Sequence, residues 1–186
     1  MGKNILIITG SPREKGNSNT LAESFRSGAE ESGNEVRVFD AHKNRIDFYN
    51  APVLLNEDDN PEAKELHRLL CWADVLVLAT PVYFMGVTAG LKTVMDRLSP
   101  YATSEGKKCF HVEECFLIAT ATSADPHMFE AVCMEYDYLM MKLGIKHTSK
   151  LLVGGVADEG AVFDRHDALE RAILMGYSVG KIGGVY

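Results

Sequence analysis

The sequence predicts a doubly wound α/β fold, in which helices cover both faces of a five-stranded parallel β-sheet. Short apolar runs alternate with longer amphipathic stretches five times along the 186 residues. Consecutive parallel strands need a crossover, and an amphipathic helix between each pair of buried strands supplies one. The chain contains no repeat, linker or low-complexity tract, so we expect a single domain over residues 1–186.

Five apolar runs are predicted as strands. Asn4–Thr9 is a continuous apolar run followed by Gly10, which is typical of a strand buried on both faces. The second strand, residues 35–39, has charged side chains at alternate positions and is expected nearer an edge of the sheet. The remaining strands are predicted at residues 74–79, 115–119 and 150–153. These lengths suit the sheet order 2-1-3-4-5.

Five amphipathic stretches are predicted as helices. The first is expected to begin at a capping-box pattern from Thr20 to Glu23 and to end at Gly33. The second begins at Pro61, which suits the first helical position, and runs to about Trp72. The other three are expected at residues 89–98, 126–143 and 163–181.

The charge of the chain excludes some classes of partner. With 26 acidic and 19 basic side chains the formal net charge is −7, which argues against binding to nucleic acid or to anionic membranes. Residues 56–65 and residues 157–170 each carry −4, so the rest of the chain is +1 and is compatible with a small phosphorylated ligand. The first apolar run is too short for a signal-peptide core, and we expect a soluble, cytoplasmic protein.

The candidate site lies in the loops that follow the strands, because ligands of open α/β sheets bind outside the carboxyl ends of strands where the strand order reverses. The first loop, residues 10–20, ends at a helix N-terminus, where backbone N–H groups and the helix dipole favour an anion. Six of its side chains add donors and are predicted to hold a terminal phosphate: Ser11, Arg13, Asn17, Ser18, Asn19 and Thr20. A polar loop with a good N-cap is the alternative interpretation.

The second loop, residues 80–88, is unusually apolar. It is predicted to contact a flat apolar ligand through the consecutive residues Pro81, Val82, Tyr83, Phe84, Met85 and Gly86. Alternatively, its aromatic residues cover the end of the sheet or another subunit. The third loop, residues 120–125, offers Ala121, Thr122 and Ser123, whose small side chains let the backbone approach a ring closely; the alternative is a loop that only caps the next helix.

A phosphate at one end of a crevice and a flat heterocycle at the other describe flavin mononucleotide (FMN). The motifs are Gly10-Ser11-Pro12-Arg13 with Gly16-Asn17-Ser18, then Thr80-Pro81-Val82-Tyr83-Phe84 with Gly86-Val87-Thr88-Ala89, Leu91-Lys92 and Asp96-Arg97. In these motifs the chain resembles the NAD(P)H-dependent FMN reductase family of flavodoxin-like proteins. The resemblance implies FMN, NADPH or NADH as co-substrate, a homodimer or homotetramer, and a flavin, quinone or similar acceptor. It assigns the six first-loop side chains to the phosphate and residues 81–86 to the isoalloxazine.

One related branch, the iron–sulfur flavoproteins, carries a compact cysteine cluster between the second strand and the second helix. The corresponding residues 41–60 contain no cysteine. The four cysteines, Cys71, Cys109, Cys115 and Cys133, are scattered without a C-x-x-C pattern, as is typical of reduced and mostly buried thiols. We therefore expect no Fe–S cluster and no metal ligands, since a cluster needs about four converging thiolates.

The flavin carries the redox chemistry, so no catalytic side chain is required. We expect backbone N–H groups of the second loop to stabilise negative charge near N1 and O2 of the ring. Two side chains are candidates for protonating an electron acceptor such as a quinone, and His127 is a better candidate than Tyr83. The competing interpretation is that His127 is simply a solvated histidine. Two other functions stay open, namely a flavodoxin-type electron carrier without NAD(P)H turnover and a non-catalytic ligand-binding domain.

The helix predicted at residues 126–143 has two apolar stripes. One is expected to face the sheet, and Met134, Tyr138 and Met141 form a second stripe roughly opposite it, at about 100° per residue. A helix on the surface of a monomer does not need the second stripe, so we expect a subunit interface there. Scattered exposed apolar residues are the alternative.

Overall fold

The central sheet has the predicted topology. The computed structural model describes residues 2–49, 54–57 and 59–181. Within them, five parallel strands form one sheet in the order β2-β1-β3-β4-β5. The strands are β1 (Asn4–Thr9), β2 (Glu35–Asp40), β3 (Val75–Pro81), β4 (Glu114–Thr120) and β5 (His147–Val153).

Helices cover both faces of this sheet, as predicted. They are α1 (Asn17–Glu31), α2 (Pro61–Trp72), α3 (Ala89–Arg97), α4 (Glu130–Leu143) and α5 (His166–Ser178). One core joins α1 and α5 to the sheet, and a second core on the other face joins α2, α3 and α4 to it. In the described part of the chain, no helix is long and apolar enough to cross a membrane.

Several element boundaries differ from the prediction. The capping box is wrong, because Gly16 adopts an extended conformation as the N-cap and α1 begins three residues before Thr20. The Thr20 hydroxyl lies inside the helix and donates to Gly16 O at 3.3 Å. The stretches predicted as helix at 126–143 and 163–181 begin with the short 3-10 turns Pro126–Phe129 and Ala161–Asp164. β5 starts earlier than expected, because its polar first residues pair with β4.

α1 and α5 cross at very short range. A Cβ at Gly28 would lie 2.0 Å from Ile173 O, and a Cβ at Gly176 would lie 1.9 Å from Phe25 O. Only glycine leaves room for these backbone contacts. The crossing therefore fixes the position of α1, whose N-terminus forms part of the candidate site.

Candidate functional site

Three loops meet at the carboxyl edge of the sheet. Thr9 at the end of β1 pairs with Ala79 in β3, and Pro81 at the end of β3 pairs with Thr120 at the end of β4. β1 and β3 are neighbours in the sheet although β2 separates them in the chain, so the strand order reverses between them. The first and second loops start side by side at that point, which is where open α/β sheets bind ligands.

The first loop folds around the backbone carbonyl of Arg13. This oxygen accepts hydrogen bonds from Ser11 Oγ at 3.2 Å, Gly16 N at 3.1 Å and Asn19 Nδ2 at 3.0 Å. A Cβ at Gly16 would lie 2.4 Å from Ser11 Oγ, so the loop closes this tightly only with glycine. Gly16 provides no capping side chain. The first backbone N–H groups of α1 are therefore available to a ligand.

The six side chains predicted for the phosphate differ in what they contact. Arg13 is exposed. Ser18 is 1% exposed, and its Oγ has no hydrogen-bond partner among the described residues. Leaving a buried hydroxyl unpaired costs about 1–3 kcal/mol, so a partner for Ser18 would stabilise the protein. The Ser11 and Thr20 hydroxyls instead bond to backbone atoms of the loop, and the Asn19 amide donates to two loop carbonyls.

Asn17 joins the first loop to a distant segment. Its side-chain Nδ2 donates to Val156 O at 3.2 Å and to Asp158 O at 2.9 Å, and its Oδ1 accepts from Val162 N at 3.1 Å. Both amide hydrogens are thus used within the protein, so the side chain is not a donor for a ligand. Residues 156–162, which had no predicted role, are held against the N-terminus of α1.

The second loop contains a strained two-residue turn. Tyr83 N donates to Gly86 O at 2.9 Å, and Gly86 N donates to Tyr83 O at 3.0 Å. Between them, Phe84 and Met85 have φ angles of 48° and 66°, a conformation that costs a non-glycine residue about 1–2 kcal/mol. Phe84 is fully exposed, and Tyr83 and Met85 are 46% and 41% exposed. The turn thus presents apolar side chains to solvent, and such strained backbone occurs mainly at functional sites.

Two threonines without a predicted role hold the first and second loops together. Thr88 Oγ1 donates to Gly10 O at 2.7 Å and caps α3 by accepting from Leu91 N at 3.4 Å. Thr88 N donates to Thr80 Oγ1 at 3.2 Å. The capping role of Thr88 could be predicted from the sequence, since this threonine directly precedes an apolar helix. The bond to Gly10 depends on the tertiary fold.

The third loop is attached to the second. Val82 N donates to Thr120 O at 2.7 Å. Ala121 is buried, Thr122 is exposed and Ser123 is half-buried. The structure therefore brings the predicted residues of all three loops to one edge of the sheet.

His127 has a carboxylate partner that the sequence did not indicate. Asp125 Oδ1 accepts from His127 N at 3.0 Å and lies 2.8 Å from His127 Nδ1. This hydrogen bond to Asp125 and the carboxylate charge raise the pKa of His127, and the bonds from His127 lower the pKa of Asp125. The His127 side chain is 74% exposed. The pair caps the turn Pro126–Phe129, which agrees with a solvated histidine.

Two of the four cysteines, which are far apart in the sequence, come together in the fold. Cys71 Sγ lies 3.5 Å from His67 Nε2, and Cys109 completes a group whose ligand atoms lie within 4.8 Å of one another. Burial, followed by the neighbouring Cys109, raises the pKa of the Cys71 thiol to about 12. The sequence spacing of His67 and Cys71 predicts that they share one helix face, whereas the proximity of Cys109 to them could not be predicted from the sequence.

Comparison with known proteins gives a family and two groups of relatives. Residues 3–150 match the sequence family described as NADPH-dependent FMN reductase. The chain is 30% identical over 163 residues to the FMN reductase (NADPH) of Escherichia coli, covering 87% of this chain and 76% of that protein. It is 34% identical over 110 residues to an iron–sulfur flavoprotein of Archaeoglobus fulgidus, covering 54% of this chain and 49% of that protein. The chain thus spans about half the length of this curated relative.

Solved structures share the fold. The NAD(P)H:quinone oxidoreductase from Methanothermobacter marburgensis superposes with a TM-score of 0.75 at 18% identity, covering 96% of this chain and 98% of that one. An azoreductase from Bacillus anthracis superposes with a TM-score of 0.68 at 17% identity, covering 95% of this chain and 99% of that one. At these identities the similarity shows a common architecture and no more.

Proposed function

The chain belongs to the NADPH-dependent FMN reductase family, and from that premise we propose that it binds FMN where the three loops meet. In the proposed reaction, electrons pass from NADPH or NADH through FMN to a flavin, a quinone or a similar small acceptor. FMN supplies the redox chemistry, and the protein supplies binding, orientation and electrostatics.

The observation that carries this proposal is the unpaired polar surface at the N-terminus of α1. Gly16 leaves the first backbone N–H groups uncapped, Ser18 Oγ is buried without a partner among the described residues, and Arg13 is exposed in the same loop. Backbone N–H groups, a hydroxyl and a guanidinium are the donors that suit a phosphate. We assign the phosphate to these groups. The remaining predicted side chains shape the loop behind it: Ser11, Asn17, Asn19 and Thr20.

An open cavity beside this loop is less suited to a phosphate. It has a volume of about 630 Å³ and lies between α1 and the end of β2. Its walls include the carboxylates of Glu14, Glu23 and Asp40, opposed by Lys15 and Lys43. Because three carboxylates would repel a dianion, we place the phosphate at the end of α1 and not in this cavity.

We assign the isoalloxazine to residues 81–86 and to the small residues at 121–123. The hydrogen bond from Val82 N to Thr120 O keeps these two segments together, so a ring between them would meet a preformed surface. The backbone N–H groups of Val82, Tyr83 and Gly86 already bond within the protein. Those of Phe84 and Met85 are therefore the groups of this segment that would stabilise negative charge on the ring. We propose no side chain as general acid or base, since His127 is mostly exposed and caps a turn.

Ser18→Ala tests the phosphate assignment. Without ligand, the hydroxyl has no hydrogen-bond partner among the described residues, so the ligand-free variant should be at least as stable as the wild type. A hydrogen bond to a charged group contributes about 1.5–3 kcal/mol, so the FMN Kd measured by fluorescence quenching should rise about ten-fold or more. Ser24→Ala is the matched control, because Ser24 lies on the same helix and its Oγ donates to Thr20 O. An unchanged Kd in Ser18→Ala refutes the assignment.

Anaerobic titration of the FMN-loaded protein with NADPH and with NADH tests the activity. We expect loss of the flavin absorbance with one or both nicotinamides, and then multiple turnovers with a quinone. FMN binding without nicotinamide oxidation would instead indicate a flavodoxin-type electron carrier. Failure to bind FMN would leave a ligand-binding domain of another kind.

We also propose that the chain forms a homodimer or homotetramer through one face of α4. Met134, Tyr138 and Met141 are 72%, 59% and 62% exposed, which is unusual for three apolar residues on one helix face. Met134→Glu combined with Met141→Glu should reduce the mass measured by light scattering to that of a monomer. Lys146→Glu is the control, because it changes the net charge by the same amount at an exposed site off the helix. An unchanged mass would place the interface elsewhere.

A further inference from the structure

A compact group of potential metal ligands lies at the end of α2. His67 and Cys71 are one helical turn apart and face the same side, and Cys109 approaches them from the connection between α3 and β4. The three side chains are half-buried, and their ligand atoms lie within 4.8 Å of one another.

This group lies at the edge of the sheet opposite to the three loops. α2 ends at Trp72, just before β3 begins, and Cys109 lies shortly before the start of β4. Trp72 O accepts a hydrogen bond from Asn4 Nδ2, at the first residue of β1. Because the loops follow the other ends of these parallel strands, the group is separate from the proposed flavin site.

We propose that His67, Cys71 and Cys109 bind one Zn²⁺ ion, with water in a fourth position. With Zn–S bonds of about 2.3 Å and Zn–N bonds of about 2.0–2.1 Å, tetrahedral geometry puts sulfur and nitrogen about 3.5 Å apart. Cys71 Sγ and His67 Nε2 are 3.5 Å apart. Thiolate and imidazole ligands suit Zn²⁺ and do not suit Mg²⁺ or Ca²⁺. Two thiolates also balance the charge of the ion in a partly buried place.

Tyr101 orients the histidine. Its hydroxyl lies 2.7 Å from His67 Nδ1, and its side chain is fully buried. Zinc-binding histidines usually hold their second ring nitrogen in such a hydrogen bond, which fixes the ring for coordination. With Nδ1 engaged by Tyr101, Nε2 is the nitrogen that faces Cys71.

The ion would fasten α2 to the long connection between α3 and β4. That connection, residues 98–113, contains only short 3-10 turns. Coordination of one ion by Cys71 and Cys109 would tie this connection to α2, so metal binding should stabilise the folded state. Flavin binding at the opposite edge should not depend on the ion.

Titration of the reduced, metal-free protein with Zn²⁺ alone tests the proposal. We expect one ion per chain by calorimetry, the visible absorption of tetrahedral thiolate-bound Co²⁺ when Co²⁺ replaces zinc, and no binding of Mg²⁺. At a hundred-fold excess over Kd, Zn²⁺ should raise the unfolding temperature by roughly 5–10 °C.

Variants separate this site from surface binding. Cys71→Ser and Cys109→Ser should each weaken Zn²⁺ binding at least ten-fold and reduce the thiolate absorption of bound Co²⁺, since each variant keeps one of the two thiolates. Cys133→Ser is the matched control, since Cys133 is also half-buried but lies on α4. Circular dichroism and FMN binding show whether each variant is folded, independently of the metal. Equal Zn²⁺ binding in Cys71→Ser and Cys133→Ser would overturn the proposal. The proposal would also be overturned if the reduced wild type failed to bind Zn²⁺. Formation of a Cys71–Cys109 disulfide in air, detected as the loss of two hydrogen masses, would then show that the two thiols are close for another reason.

Discussion

Phe84→Gly is expected to stabilise the protein although it removes a large aromatic side chain. Phe84 is fully exposed, so its loss uncovers no core, and its φ of 48° lies in the left-handed region. Relief of that strain contributes about 1–2 kcal/mol, and the greater freedom of glycine in the unfolded chain offsets about 0.5–1 kcal/mol. The net expectation is a gain of about 0.5–1 kcal/mol in the free energy of unfolding.

Phe84→Ala is the matched control for this change. Alanine removes the same ring but keeps Cβ, so the left-handed conformation remains strained and we expect no gain. Urea unfolding of the three FMN-free proteins compares them directly, and a gain of this size corresponds to about 1–4 °C in the unfolding temperature of a chain this long. Phe84→Gly should also raise the FMN Kd about 2–5-fold, because a more flexible turn must be ordered on binding.

The relative stability of Phe84→Gly and Phe84→Ala shows whether the positive φ at this position is strained. If Phe84→Gly unfolds at lower urea than Phe84→Ala, the positive φ is not a source of strain. The argument for a preformed turn under the ring would then fail, whatever the FMN affinities.

Three further substitutions test the links around the site. Asn17→Ala should lower the free energy of unfolding by about 2–4 kcal/mol, because buried backbone groups of residues 156–162 lose their partners; a loss under 1 kcal/mol in urea unfolding would contradict this. Thr88→Val should cost about 2–3 kcal/mol by removing a helix cap and the bond to Gly10 O, and calorimetry showing no change would argue against that link. His127→Gln should lower the unfolding temperature only at low pH. Asp125 raises the pKa of His127, so the stabilisation from the charged His127–Asp125 pair is complete below about pH 6.5 and is lost as pH rises through the raised pKa. An equal loss of unfolding temperature in His127→Gln at pH 9 would exclude this charge interaction as the cause.

Local patterns were sufficient to predict the sheet and its helices, but not all boundaries. The apolar runs of β1, β3 and β4 are buried as expected, because strands covered on both faces leave a clear signal. β5 begins with exposed polar residues, and only its pairing with β4 identifies them as strand. The start of α1 was placed too late, since Thr20 fits a capping pattern that the extended Gly16 makes unnecessary.

The position of the candidate site followed from the sequence, whereas the roles of single side chains did not. Loops after parallel strands must meet at one edge, so the three loops could be placed together. Asn17 and Val162 are 145 residues apart, and Thr88 and Gly10 are 78 residues apart, so neither contact leaves a local signal. The same reason explains Cys109, which reaches Cys71 only through the packing of the α3–β4 connection against α2.

The crossing of α1 with α5 determines the stage of synthesis at which the proposed FMN site can first form. α1 leaves the ribosome well before the partners of Asn17 in residues 156–162 and the glycine contacts of α5. A nascent chain that ends after α4 therefore has an unsupported α1, even though its first and second loops are already made. We expect a nascent chain to bind FMN only after α5 has been synthesised, so shorter nascent chains should not bind it.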